Sequence, residues 1–143
     1  MTMLTSLTSV DFAILLLRAF IGPCLMVHGL GKLGIVGPGN MQGFEGWLGS
    51  LGVPFPAVQA RIAMLAELVG GALIVLGLFY RPAVLLCSVT LLVAAFIGHR
   101  GGGYLITNTP PGNEYAINLT VILVVMAILG SGPLSLDAKW FGI

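Results

Sequence analysis

The residues in this chain that could do chemistry are few, and they sit inside or beside hydrophobic runs. His28 and Lys32 close the first run in the stretch His28-Gly29-Leu30-Gly31-Lys32, and Arg18 lies in the middle of that run. Glu67 lies within the second run, in Ala66-Glu67-Leu68-Val69-Gly70-Gly71. His99 ends a third run, and Glu114 opens a fourth that also carries Asn118. Ionisable groups inside a bilayer are costly and usually face a bundle interior or a polar cavity. Together these side chains offer cations and amides for hydrogen bonding, carboxylates for proton acceptance, and imidazoles that exchange protons near neutrality. That is the equipment of a polar binding pocket. No cysteine pair, flavin motif or haem motif accompanies it, so a redox centre of the chain's own is not evident and no metal site is expected. The two histidines as haem ligands are a minor alternative.

The elements that must position these groups follow from composition. Of 143 residues, 57% are hydrophobic and 8% charged, with mean hydropathy +1.06. A soluble domain carries about 25% charged residues, so the class is an all-α integral membrane protein. The net charge of +1 supplies no basic patch, and nucleic acid is excluded as a partner. A spanning helix needs about 20 mostly apolar residues. Four candidates appear, at about 10–32, 57–79, 82–99 and 115–129, the last two short. They predict a four-helix transmembrane bundle, a single domain over 1–143, with no removable signal peptide. Lys and Arg near the helix ends are too evenly divided (81 and 139 against 32, 61 and 100) to orient it.

Two long connections lie on one side of this bundle. In the first, Phe44, Trp47, Leu48 and Leu51 recur at i, i+3, i+4 and i+7, one face of a short helix suited to the membrane interface. The second, 100–113, is a loop by its Gly-Gly-Gly and Thr-Asn-Thr-Pro-Pro-Gly-Asn content. At 1.5 Å rise per residue, measured from the side bearing the termini, Arg18 is expected roughly 10 Å deep, Glu67 roughly 18 Å, His28 and His99 roughly 25 Å and Lys32 roughly 30 Å. His28, Lys32, His99 and Glu114 therefore converge beneath the two loops, with Phe44 and Trp47 as a lid. Arg18, Gly22, Gly29 and Lys32 share one helical stripe; Ala60, Ala63, Glu67, Gly70 and Gly71 share another; Glu114, Asn118 and Val121 a third.

Each group also has a purely structural explanation. Arg18 and Glu67 form a buried ion pair between the first two spans in this view. His28 lies at headgroup level, Lys32 and Arg100 snorkel, and Glu114 benefits from a helix N-terminus. Cys24 and Cys87 are packing residues, too far apart in depth for a disulfide.

Arg18, His28-Gly29-x-x-Lys32, Phe44 with Trp47, Leu51-Gly52-Val53-Pro54, Glu67 with Gly70-Gly71, Leu76-Gly77-Leu78 before Arg81, His99, Glu114-Tyr115 and Gly132-Pro133-Leu134-Ser135-Leu136-Asp137 form a pattern that covers nearly the whole chain. It resembles the DoxX family of bacterial and archaeal membrane proteins. The resemblance implies four membrane helices, a multi-pass place in the cytoplasmic membrane, and kinship with the small DoxD-type subunit of thiosulfate:quinone oxidoreductase. It implies a membrane component of a quinone-linked or sulfur- and thiol-related redox system, tied to oxidative stress. Quinone is then a possible cofactor, and membrane lipid, redox proteins and further copies of the chain are possible partners. Two other functions fit the same residues: a non-enzymatic anchor for soluble redox proteins, and a small-solute carrier with Glu67 as its proton site.

Overall fold

Thr8 begins the first helix: its hydroxyl accepts from Asp11 N, while the Asp11 carboxylate accepts from Thr8 N at 2.8 Å, a reciprocal cap that satisfies two otherwise orphaned donors. The computed structural model describes residues 7–142, and among them every regular element is helical. α1 (Ser9–Lys32) runs 24 residues and passes through Pro23 without ending, as membrane helices can when neighbours compensate the missing bond. α2 (Met41–Ser50) is the short helix expected in the first connection, capped by Asn40, whose side chain accepts from Gly43 N at 2.7 Å. α3 (Pro56–Leu76) and α4 (Tyr80–Val93) form a hairpin. α4 continues as one π-helical turn, Ala94–Gly98. α5 (Glu114–Leu129) and a short α6 (Leu136–Phe141) complete the chain.

Three helical stretches, α1, α3 and Tyr80–Gly98, are long and apolar enough to cross a membrane; α5 is apolar but shorter. α1 packs on α3, α3 on α4 and α4 on α5, and α5 touches α1 only lightly. The shared core is made by Leu25, Ile74, Tyr80, Val84, Cys87, Leu123 and Met126. The outer faces of the helices carry large apolar side chains such as Phe20, Val89 and Ile128.

The α1–α3 contact is set by small residues. A Cβ at Gly22 would lie 2.7 Å from Gly71 O, one at Gly71 would lie 2.6 Å from Gly22 O, and one at Gly29 would lie 2.9 Å from Leu68 N. Only glycine lets the two backbones approach this closely. The expected stripe of Arg18, Gly22 and Gly29 is indeed the buried face of α1.

The second span is shorter than expected. It stops at Leu76, because Gly77 (φ 63°) and Phe79 (φ 44°) take left-handed conformations, and the next helix starts at Tyr80 with Pro82 in its first turn. A bulky residue at positive φ is strained. Asp137 holds Phe79 there, accepting from Phe79 N at 2.8 Å and Tyr80 N at 2.9 Å, while Asp137 N donates to Gly77 O at 2.9 Å. The C-terminal segment is thus the cap of α4.

Arg18 belongs to this end of the molecule. It is 2% exposed, and its guanidinium donates to Ile74 O (3.0 Å), Val75 O (2.8 Å), Ser131 O (3.0 Å) and Leu134 O (2.9 Å). The expected Arg18–Glu67 pair does not form. α1 and α3 are antiparallel with Gly29 opposite Leu68 and Gly22 opposite Gly71. That register sets Arg18 against the last turn of α3 and leaves Glu67 level with the last turns of α1. The expected depths assumed that the first span begins where the second ends; instead α1 overhangs the end of α3.

Candidate functional site

The candidate site is a cavity of about 740 Å³ at the end of α1, bounded by α2, α3, the upper part of α4 with its π-helical turn, and the start of α5. Pockets for small molecules usually measure about 300–1,000 Å³. Its polar lining includes His28, Lys32, Glu67, His99, Arg100 and Tyr115, and Phe44, Trp47 and Leu48 of α2 with Leu51 at its end form the cover. The face expected on that short helix therefore turns inward over the cavity.

Lys32 Nζ donates to Glu67 Oε2, and the two form a largely buried ion pair. Glu67 is 5% exposed. The pair exists because Gly29 brings α1 onto the α3 backbone at Leu68, one residue from Glu67, and Lys32 stands three residues beyond Gly29 on the same face. Phe44 lies over the Lys32 ammonium, 5.1 Å from ring centroid to Nζ, a cation–π contact. Trp47 stacks on Phe44 with centroids 5.9 Å apart. The far edge of its indole fills the space beside Gly98, where a Cβ would come within 2.9 Å of it. Glu45 on the outer side of α2 pairs with Arg61 of α3 at 3.1 Å. The cover is thus fixed to α1, α3 and the π-helical turn at once. π-helical turns inside α-helices often mark functional sites.

His28 stands at the cavity margin with its ring 5.2 Å from that of Tyr115. The Tyr115 hydroxyl lies 2.9 Å from Cys24 Sγ. A thiol, a phenol and an imidazole therefore lie in series beside the ion pair. His99 is at the rim, where its Nδ1–H donates to Pro111 O at 3.1 Å and ties the second long loop to the π-helical turn. Among the described residues, no group of three His, Cys, Asp or Glu side chains is gathered for a metal ion.

The cavity brings together four of the seven sequence-selected residues: His28, Lys32, Glu67 and His99. Arg18 lies at the opposite end, on backbone carbonyls. Glu114 accepts from Ile106 N at 3.1 Å and Asn118 from the Tyr104 hydroxyl at 3.2 Å. Both hold the second loop, and neither lines the cavity. The Glu114–Asn118–Val121 stripe turns away from the core, and α5 buries Ala116, Leu119, Thr120, Leu123 and Met126 instead. Tyr115 and Cys24 were not selected as site residues. Their signal was available: Cys24 precedes His28 by four residues on one helix face, and a tyrosine buried in an apolar helix needs a partner for its hydroxyl.

The family model for DoxX matches residues 13–100. The chain belongs to the DoxX family. The matched DoxX segment runs from α1 to the end of the π-helical turn, so it contains the Lys32–Glu67 pair, His28, His99 and the α2 cover. Inner membrane protein YphA of Escherichia coli (strain K12) is 34% identical over 113 residues, covering 73% of this chain and 79% of that protein. An uncharacterized protein of Haemophilus influenzae is 30% identical over 126 residues, 87% of this chain and 88% of its own length. A Bacillus subtilis protein described as "Putative oxidoreductase CatD" is 32% identical over 133 residues, 90% of this chain and 87% of its own. No solved structure matches the chain. With several apolar helices and these relatives, this DoxX protein is a multi-pass membrane protein.

Proposed function

We propose that this protein is the membrane component of a quinone-linked or sulfur- and thiol-related oxidoreductase system, and that the cavity holds a quinone headgroup or a small sulfur species. The observation that carries the proposal is the Lys32–Glu67 pair beside His28 and Tyr115 inside a 740 Å³ cavity walled by apolar helices. Lys32 and Glu67 offset each other's charge at the inner end of the cavity, which suits an uncharged acceptor such as a quinone carbonyl, while Arg100 also lines it. Lys32 and the Tyr115 hydroxyl are donors for such a group, and His28 exchanges protons at the margin. Electrons would come from a partner, since chemistry of this kind is normally carried by a cofactor. In this proposal α5 is the fourth membrane span of a single-domain bundle, the second loop making up for its short length. The protein would lie in the cytoplasmic membrane of a bacterium or archaeon, alone or as a homo-oligomer, beside redox-protein partners.

The test is quinone-analogue binding and partner copurification for the wild type, His28→Ala and Glu67→Gln. Variants that fold and assemble but lose the analogue support the cavity as a binding site. Undetectable binding in the wild type, with copurification that depends on these residues, would make the protein an anchor for soluble redox proteins.

A further inference from the structure

Resting on that cavity reading, we infer that the ligand carries an apolar tail and enters sideways from the bilayer, between the upper halves of α3 and α4. The two helices are in tight contact lower down: a Cβ at Gly70 would lie 2.6 Å from Cys87 Sγ, and Cys87 Sγ donates to Ala66 O at 3.2 Å. Above that contact the cavity lies between them. Ile62 of α3 and Val89 and Val93 of α4 line it, yet they are 50%, 58% and 49% exposed. Side chains that line a cavity while facing outward mark an opening. Val89 falls in the middle of the span Tyr80–Gly98, at a depth where the surroundings are lipid chains and not water. The Thr90 hydroxyl on this seam donates to Leu86 O on its own helix at 3.0 Å, and Gln59 lies one turn nearer the loops than Ile62, so the stretch between Ile62, Val89 and Val93 is apolar.

The water-facing approach is built differently. A shallower depression of about 560 Å³ lies on the loop side of α1 and shares His28, Lys32, Phe44 and Trp47 with the cavity. The Phe44–Trp47 stack and Lys32 therefore form the partition between the two. The loop side is covered by fixed aromatics, with Trp47 and Leu51 43% and 36% exposed at its rim, and the lipid side is open at mid-membrane, so the occupant that fits is an amphiphile. Its polar ring meets Lys32, Glu67 and Tyr115, and its single hydrocarbon or isoprenoid chain leaves along the seam. A free sulfur anion has no use for such an opening.

The experiment uses the full chain in lipid nanodiscs with two probes: a tail-free benzoquinone and the same ring bearing a ten-carbon chain. Val93→Trp and, separately, Val89→Trp fill the opening without touching the core. In the wild type both probes bind. In each variant the tailed probe is expected to lose about tenfold or more in affinity, the equivalent of about two methylene contacts, while the tail-free probe stays within about twofold. Partitioning into the bilayer cancels, because each probe is compared between proteins. Equal losses of both probes, or no loss of either, overturns the sideways route and leaves the cavity as a binding site. If neither probe binds the wild type, the cavity reading fails together with this inference. Glu67→Gln supplies the complementary control: it is expected to weaken both probes alike.

Discussion

Arg18 and Lys32 are both cations on α1, and they are satisfied in opposite ways. Arg18 meets four backbone carbonyls and no carboxylate, which uses the fixed fork of a guanidinium. An ammonium has three donors and no fork. Arg18→Lys is therefore expected to leave at least one carbonyl unpaired and to destabilise the fold by about 2–4 kcal/mol, measured as a fall in melting temperature in mild detergent; an unchanged Tm would contradict this. Lys32 is held by one carboxylate. Lys32→Met or Glu67→Gln alone breaks the pair, and Lys32→Met strands a buried charge at a cost of about 3–5 kcal/mol. The double variant Lys32→Met/Glu67→Met removes both charges and should recover most of that stability while losing ligand binding. A double variant no more stable than Lys32→Met would sink the argument. That the charges matter was legible in the sequence, because so few stand in so apolar a chain. Their pairing was not. Carbonyl acceptors have no sequence signature, and neither has the stagger of the helices: Arg18, nine residues into α1, already stands level with the last turn of α3.

The helices touch through glycines with different duties, and substitution separates them. Gly71→Ala would set a Cβ 2.6 Å from Gly22 O and must push α1 from α3, at about 1–3 kcal/mol. Gly46, on α2, has nothing within 4 Å of its Cβ position. Gly46→Ala should stabilise that helix by up to about 1 kcal/mol. Thermal unfolding of the two variants side by side checks both signs. Gly98→Ala would press on the Trp47 indole and loosen the cover. Trp47 fluorescence, measured in a Trp140→Phe background, is then expected to shift to longer wavelength, and an unmoved spectrum would mean that the cover does not depend on Gly98. The α2 face was legible from its i, i+3, i+4, i+7 spacing. The α5 stripe was misleading. That helix is apolar all round, so periodicity does not choose a face. Glu114 and Asn118 lie in its first turns, where the second loop folds back, and serve the loop.

At the scale of the molecule, the two ends of the bundle have separate work. The loop end holds the cavity; the other end is a clasp of Arg18, Gly77, Ser135 and Asp137, in which a Cβ at Gly77 would lie 2.5 Å from Ser135 Cβ and 2.7 Å from Arg18 Nη2. Membrane class and the three long apolar helices were plain from composition and run length, whereas the clasp joins residues remote in sequence. Asp137→Ala should expose the α4 start and cost about 1–2 kcal/mol, with hydrogen exchange rising first at Phe79 and Tyr80. Protection unchanged at those amides would show that the cap is dispensable. The clasp also bears on biogenesis. A ribosome makes α1 first, yet two of the acceptors for Arg18 lie 113 and 116 residues later. Until they emerge, only the Ile74 and Val75 carbonyls of α3 can receive the guanidinium, and its remaining N–H groups need water or headgroups. Its full set of acceptors waits for the far end of the chain, so a product broken off before Ser131 would keep a half-satisfied cation near the lipid. Arg18 is in this sense a check on completeness, one that membrane quality control could sense without recognising any sequence.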